Sequence, residues 1–116
     1  MNFKTKDSGT RLNYESGMQR DADDSKARFD LIFPLGIPYK DQIITRFAEL
    51  MNRGQQKYSA RNWEKAEGKK EMDRFKESAL RHMIQWYCGE DDEDHAVAVF
   101  FNIMGYETTS HKLKKQ

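Results

Sequence analysis

The sequence predicts an all-α protein, an antiparallel helical bundle with an extended N-terminal arm. Two observations carry this reading. Apolar residues recur at helical spacing near 40–53, 70–87 and 92–107. Glycines and short polar breaks punctuate these segments, and short connections make neighbouring helices antiparallel. The one alternating stretch, 28–33 (RFDLIF), is brief and stops at Pro34.

Residues 1–27 are polar, contain Gly9 and Gly17, and show no sustained periodicity. They are read as an extended arm that orders against another surface. The segment from Pro34 to Pro38 is too punctuated for a helix. In the first helix Ile43, Ile44, Phe47, Leu50 and Met51 share one face, Asp41 lies in the first turn, and Gly54 is expected to end it. The second has Phe75, Ala79, His82, Met83 and Trp86 on its expected inner face and stops at Gly89. The third, with Val97, Val99, Phe100, Ile103 and Met104, is apolar nearly all round and is expected at the centre. The domain is placed at 28–107, and 108–116 is expected to be a frayed tail.

At 116 residues and 13.7 kDa there is room for one small domain. A hydrophobic fraction of 37%, a charged fraction of 34% and a mean hydropathy of -0.98 leave a thin core. Subunits that complete one another's core are therefore expected, as a homo-oligomer. Twenty basic against nineteen acidic residues give a net charge of +1, which argues against specific DNA binding. The lone Cys88 excludes a disulfide framework and a thiolate zinc cluster, and is expected to be a small buried residue. No apolar run reaches membrane-spanning length, and the N-terminus lacks a signal-peptide core, so a reducing cytoplasm is expected.

Several polar residues admit both a structural and a chemical reading. Glu49 borders the first apolar face, where it either pairs with Arg46 or Arg53 or turns inward to hold a hard cation. Glu77 has the same two readings, with Asp73 and Arg81 four residues away on either side. The acids 90–94 (EDDED) suit a helix start through the dipole, and equally suit magnesium or manganese, with Asp94 able to face a partner helix. His82 and His95 lie on helix faces near these acids, and Asn102 lies on the same face as His95. Each is either a hydrogen-bonded core residue or a ligand. Lys57, Tyr58, Arg61, Asn62 and Trp63 form a loop of cations and flat aromatics, able to stack a base and hold phosphate, or to cap the core with the cations in water. Lys26 and Arg28 raise the same question. No P-loop, GxSxG, HExxH or GxGxxG motif is present, so serine or cysteine nucleophilic catalysis has no support.

The order SGMQRDADDSKARFDL, FAELMNRGQQKYSARNW and FKESALRHMIQWYCGEDDEDHAVAVFFN resembles bacteriophage proteins of the dATP/dGTP diphosphohydrolase N-terminal domain family. The matching positions are Gly17, Arg20, Asp21, Lys26, Arg28, Phe29, Asp30 and Leu31. Next come Gly54, Lys57, Tyr58, Arg61, Asn62 and Trp63, then Arg81, His82, Gly89, Glu90, Glu93, Asp94, His95 and Asn102. That family is similar to the all-α MazG-type nucleotide pyrophosphohydrolases. The resemblance implies cleavage of a purine dNTP to dNMP and pyrophosphate with Mg2+ or Mn2+, in an oligomer (a dimer or tetramer) in the bacterial host cytoplasm.

On that reading Glu49, Glu77 and Asp94 hold metal, and Glu77 or His95 takes the proton of the attacking water. Lys57, Arg61, Arg81, Lys26 and Arg28 offset phosphate charge, with Trp63 or Tyr58 stacking the base. Asn62, His82 and Asn102 complete the substrate contacts. The chain departs from the MazG-type E-x-x-E pattern, because Arg46 stands three residues before Glu49 and no acid stands three residues from Glu77. A nucleotide-sequestering protein without turnover is the alternative.

Overall fold

The structure is a computed structural model that describes residues 2–22 and 25–115. It divides into two compact units, Met1–Phe33 and Pro34–Gln116.

The N-terminal unit is more ordered than the extended arm expected from its polarity. It holds a small antiparallel hairpin of β1 (Arg11–Asn13) and β2 (Gln19–Asp21), in the register Arg11↔Asp21, Leu12↔Arg20 and Asn13↔Gln19. Gly17 closes the turn at φ 90°, where its N–H donates to the Tyr14 carbonyl at 2.9 Å. Polar bonds replace a hydrophobic face: Gln19 Nε2 donates to Asn13 Oδ1 at 2.7 Å, and Arg11 forks onto Asp7 at 2.8 and 2.9 Å. A 3-10 turn at Phe29–Ile32 follows.

The second unit is all-helical among its described residues. Its helices are α1 (Ile43–Lys57), α2 (Lys69–Tyr87) and α3 (His95–Lys114), with 3-10 turns at Tyr39–Asp41 and Asn62–Lys65. Asp41 therefore lies in the turn before α1 rather than in its first turn. Buried Gln42 ties the preceding loop down, its Nε2 donating to the carbonyls of Pro34 at 3.1 Å and Ile37 at 2.8 Å.

α1 runs through Gly54, the residue expected to end it. One glycine costs a helix about 1 kcal/mol, and the following Gln55, Gln56 and Lys57 are good helix formers. Gly89, by contrast, does end α2. At φ 78° it lets its own N–H reach the Trp86 carbonyl (3.1 Å) and the Glu90 N–H reach the Gln85 carbonyl (3.0 Å), a Schellman closure.

α2 and α3 lie antiparallel: His82 meets His95, Phe75 meets Phe101 and Gly105, and Lys76 meets Tyr106. α1 packs on α3 through Phe47 and Phe100, whose rings meet edge-on at 4.9 Å. α3 is thus the central helix, and supplies buried Val97, Ala98 and Val99. It continues to Lys114, beyond the fraying expected after Glu107, because tertiary contacts hold the last turns. Thr109 is 2% exposed, and Lys112 donates to the backbone carbonyls of Glu64 and Ala66.

The core is as thin as the composition implies. Met83 and Trp86 are exposed rather than inward, alongside Leu80, Ile84 and Tyr87. Cys88, at the C-cap of α2, is exposed as well, which corrects the expectation of burial. Among the described residues, no helix is long and apolar enough to cross a membrane.

Candidate functional site

Two features lie side by side in the helical unit: a cleft and an acidic turn. The cleft, of about 810 Å3, is bounded by the end of α1, the loop after it and the 3-10 turn at Asn62–Lys65. Lys57, Tyr58, Arg61, Asn62 and Trp63 all line it, so the loop predicted to contact substrate is brought together there. Phe101 of α3 is a further wall, with the Trp63 ring edge-on to it at 6.3 Å. Trp63 is half-buried, while Tyr58 and Arg61 are exposed.

The loop's backbone is shaped by Arg61, which adopts the left-handed conformation at φ 59° and ψ 24°. It is the one non-glycine residue with positive φ among those described. Such a conformation costs a side-chain-bearing residue on the order of 1 kcal/mol, and strain of this kind concentrates at ligand clamps. The Arg61 guanidinium pairs with Glu64, and Lys57 Nζ sits 5.1 Å from the centre of the Tyr58 ring. Glu93 of the acidic turn also lines the cleft, which links the two features.

The acidic turn connects α2 to α3. Its acids precede α3 instead of forming its first turn, which contains none. His95 is the first residue of α3 and is 2% exposed. Its Nε2 lies 2.7 Å from Asp92 Oδ1, and its Nδ1 lies 2.8 Å from His82 Nδ1. With His95 neutral, the ionised Asp92 accepts from His95 Nε2–H, leaving His95 Nδ1 to accept from His82 Nδ1–H. The hydrogen bond from His95 lowers the pKa of Asp92. Burial first, and the Arg81 charge second, lower that of His82 and favour its neutral ring. Glu90 completes the group: donor atoms of Glu90, Asp92 and His95 all lie within 4.8 Å of one another.

The other predicted residues go elsewhere. Asp94 receives a fork from Arg46, at 2.8 Å on each oxygen, and this hydrogen-bonded charge lowers its pKa. Glu77 is exposed and pairs with Arg74 at 3.0 Å and Arg81 at 3.5 Å. Exposed Glu49 lines a separate hollow with Tyr39, Thr45 and Arg53. Among the described residues Glu49, Glu77 and Asp94 form no common metal-ligating group. Asn102 is buried and donates to the Ala98 carbonyl of its own helix at 2.8 Å. Lys26 and Arg28 belong to the N-terminal unit, where Arg28 pairs with Asp30 at 2.7 Å.

A run of five acids does not by itself single out Asp92 and Glu90, whose carboxylates lie near His95. The usable signal was the three-residue step from Asp92 to His95, which brings a carboxylate onto the imidazole across a helix start. Arg46 has Glu49 as a candidate partner on its own helix, and its partner in the fold, 48 residues away, carries no local signal.

The family profile described as dATP/dGTP diphosphohydrolase, N-terminal, matches residues 16–115. No curated protein and no solved structure matches the chain.

Proposed function

The chain belongs to the dATP/dGTP diphosphohydrolase N-terminal family, and we propose that it hydrolyses a purine deoxynucleoside triphosphate to the monophosphate and pyrophosphate. The observation that carries this reading is the cleft, where Lys57 and Arg61 stand beside Tyr58 and Trp63. Cations next to flat rings suit a ligand that is anionic at one end and aromatic at the other. In the reaction, water attacks the α-phosphorus, its oxygen forms the new P–O bond, and pyrophosphate leaves with the bridging oxygen.

The residues that fit a divalent ion are Glu90, Asp92 and His95, from the proximity of their donor atoms. When bound, an ion there would offset phosphate charge and make a coordinated water more acidic. Lys57 and Arg61 bind the phosphates, and Tyr58 or Trp63 stacks the base.

The test is incubation of the whole chain with each dNTP and Mn2+, with separation of the products. Conversion of dATP or dGTP to dNMP and pyrophosphate is expected, and release of orthophosphate would overturn it. Binding without turnover would instead favour a nucleotide-sequestering protein. One observation favours that second reading: Arg46 occupies Asp94, and Arg74 and Arg81 occupy Glu77, which leaves those acids committed to arginines.

Bacteriophage origin and work in the bacterial host cytoplasm, on nucleotides instead of specific DNA, belong to the same proposal. So does a homo-oligomer, in which a second copy covers Leu80, Met83, Ile84 and Tyr87, an exposed stripe at i, i+3, i+4 and i+7 of α2. Light scattering tests it, and a 13.7 kDa monomer would refute it.

A further inference from the structure

We propose that the turn between α2 and α3 is a mixed nitrogen–oxygen cation site, with His95, Asp92 and Glu90 as ligands and His82 as the buttress, and that it prefers a transition ion such as Mn2+ to Mg2+. The use of such an ion in catalysis rests on the reading above; its binding does not.

The donors are held by rigid elements. The Schellman closure fixes the backbone of Glu90 through the Gln85 carbonyl at 3.0 Å, and His95 sits in the first turn of α3 with 2% exposure. The negative end of α2 and the positive end of α3 face the same turn, so their dipoles offset one another and the carboxylates decide the local charge.

The spacing suits insertion. Two cis ligands each about 2.1 Å from an ion lie about 3.0 Å apart, and His95 Nε2 and Asp92 Oδ1 stand 2.7 Å apart. An ion replaces the shared proton with a small opening of that gap.

The second imidazole makes this more than a group of acids. A ligating histidine needs an acceptor for its other ring N–H, which fixes the tautomer. His82 Nδ1 lies 2.8 Å from His95 Nδ1 and supplies that acceptor once His95 Nε2 turns its lone pair to the ion. Binding thus reverses the hydrogen bond between the rings. The imidazole also sets selectivity, because Mg2+ prefers oxygen donors and nitrogen favours Mn2+, Co2+ or Zn2+.

The test needs no nucleotide. The whole chain is stripped with chelator and titrated with Mn2+, following loss of the free-ion EPR signal and broadening of the histidine ring protons. The sequence has three histidines, and His111 lies sixteen residues beyond His95 on α3, about 24 Å along the helix. Broadening of the His95 and His82 signals before that of His111 is expected, with at least tenfold excess Mg2+ needed to displace Mn2+. Asp92 is exposed, so Asp92→Asn is expected to keep the helical circular dichroism while weakening Mn2+ at least tenfold. Equal broadening of all three histidines, displacement at equal Mg2+, or loss of Mn2+ in Glu77→Gln would overturn the site. Mn2+ bound as described with every dNTP left intact would count against the hydrolase alone.

Discussion

Arg46 Nε and Nη2 donate to Oδ2 and Oδ1 of Asp94, each at 2.8 Å, and this fork joins α1 to the residue that caps α3. The side chains retain 37% and 24% exposure, intermediate between a solvated pair and a buried one. Breaking it is expected to cost about 1–2 kcal/mol, above the usual surface pair because the geometry is bidentate. Arg46→Met and Asp94→Asn should each show this loss in denaturant unfolding, and the double variant little more than either. Additive losses would mean that the two residues stabilise the fold independently.

The same fork makes the stability of the protein sensitive to acid. Arg46 holds the Asp94 carboxyl below its ordinary value of 3.8, so the unfolded chain takes up this proton first as pH falls. The contribution is complete above about pH 5 and is lost as pH drops through the lowered folded value. Unfolding in chelator from pH 6 to pH 3 should therefore show a steeper loss for the parent than for Arg46→Met. Parallel profiles would remove the fork as the cause.

At Gly105 the Phe75 ring of α2 lies against the backbone of α3. A Cβ built there meets the Phe75 ring at 2.5–2.7 Å, and that ring is packed against Phe101 at 6.1 Å. Alanine would gain about 1 kcal/mol in helix propensity, but forcing the ring aside costs about 1–3 kcal/mol. Gly105→Ala is expected to lower stability by about 1 kcal/mol on balance, and Gly105→Ala with Phe75→Leu to recover part of it. A more stable single variant would show that the ring moves freely.

Legibility from sequence followed the range of the signal. α2 was read to within a residue because its glycine stop and its Phe75–Ala79–His82 line are local. The ends of α1 and α3 were not. Gly54 is helical for want of a competing turn, and the last turns of α3 are held by Lys112 reaching carbonyls 46 and 48 residues away. The grouping of Lys57, Tyr58, Arg61, Asn62 and Trp63 around one cleft was legible because these residues lie close together in sequence. Among the acids, adjacency hid the different partners. Five in a row look equivalent, and only the placement of His95 and Arg46 separates Asp92 from Asp94.

Arg61 separates backbone from side-chain roles in the cleft. Its left-handed conformation at φ 59° suits glycine, so Arg61→Gly removes strain while adding freedom to the unfolded chain. The two effects offset, and stability is expected to change by less than about 0.5 kcal/mol. Under the proposed function, loss of the guanidinium would remove a charge-assisted contact to phosphate, worth about tenfold or more in affinity. Titration calorimetry with dATP and dGTP should therefore show weaker binding by Arg61→Gly at nearly unchanged melting temperature. Trp63→Ala, which also removes an aromatic contact to Phe101, should lose both binding and stability. Unaltered nucleotide affinity in Arg61→Gly would make the strained arginine a feature of the loop's own folding, held by Glu64, and would take it out of the site.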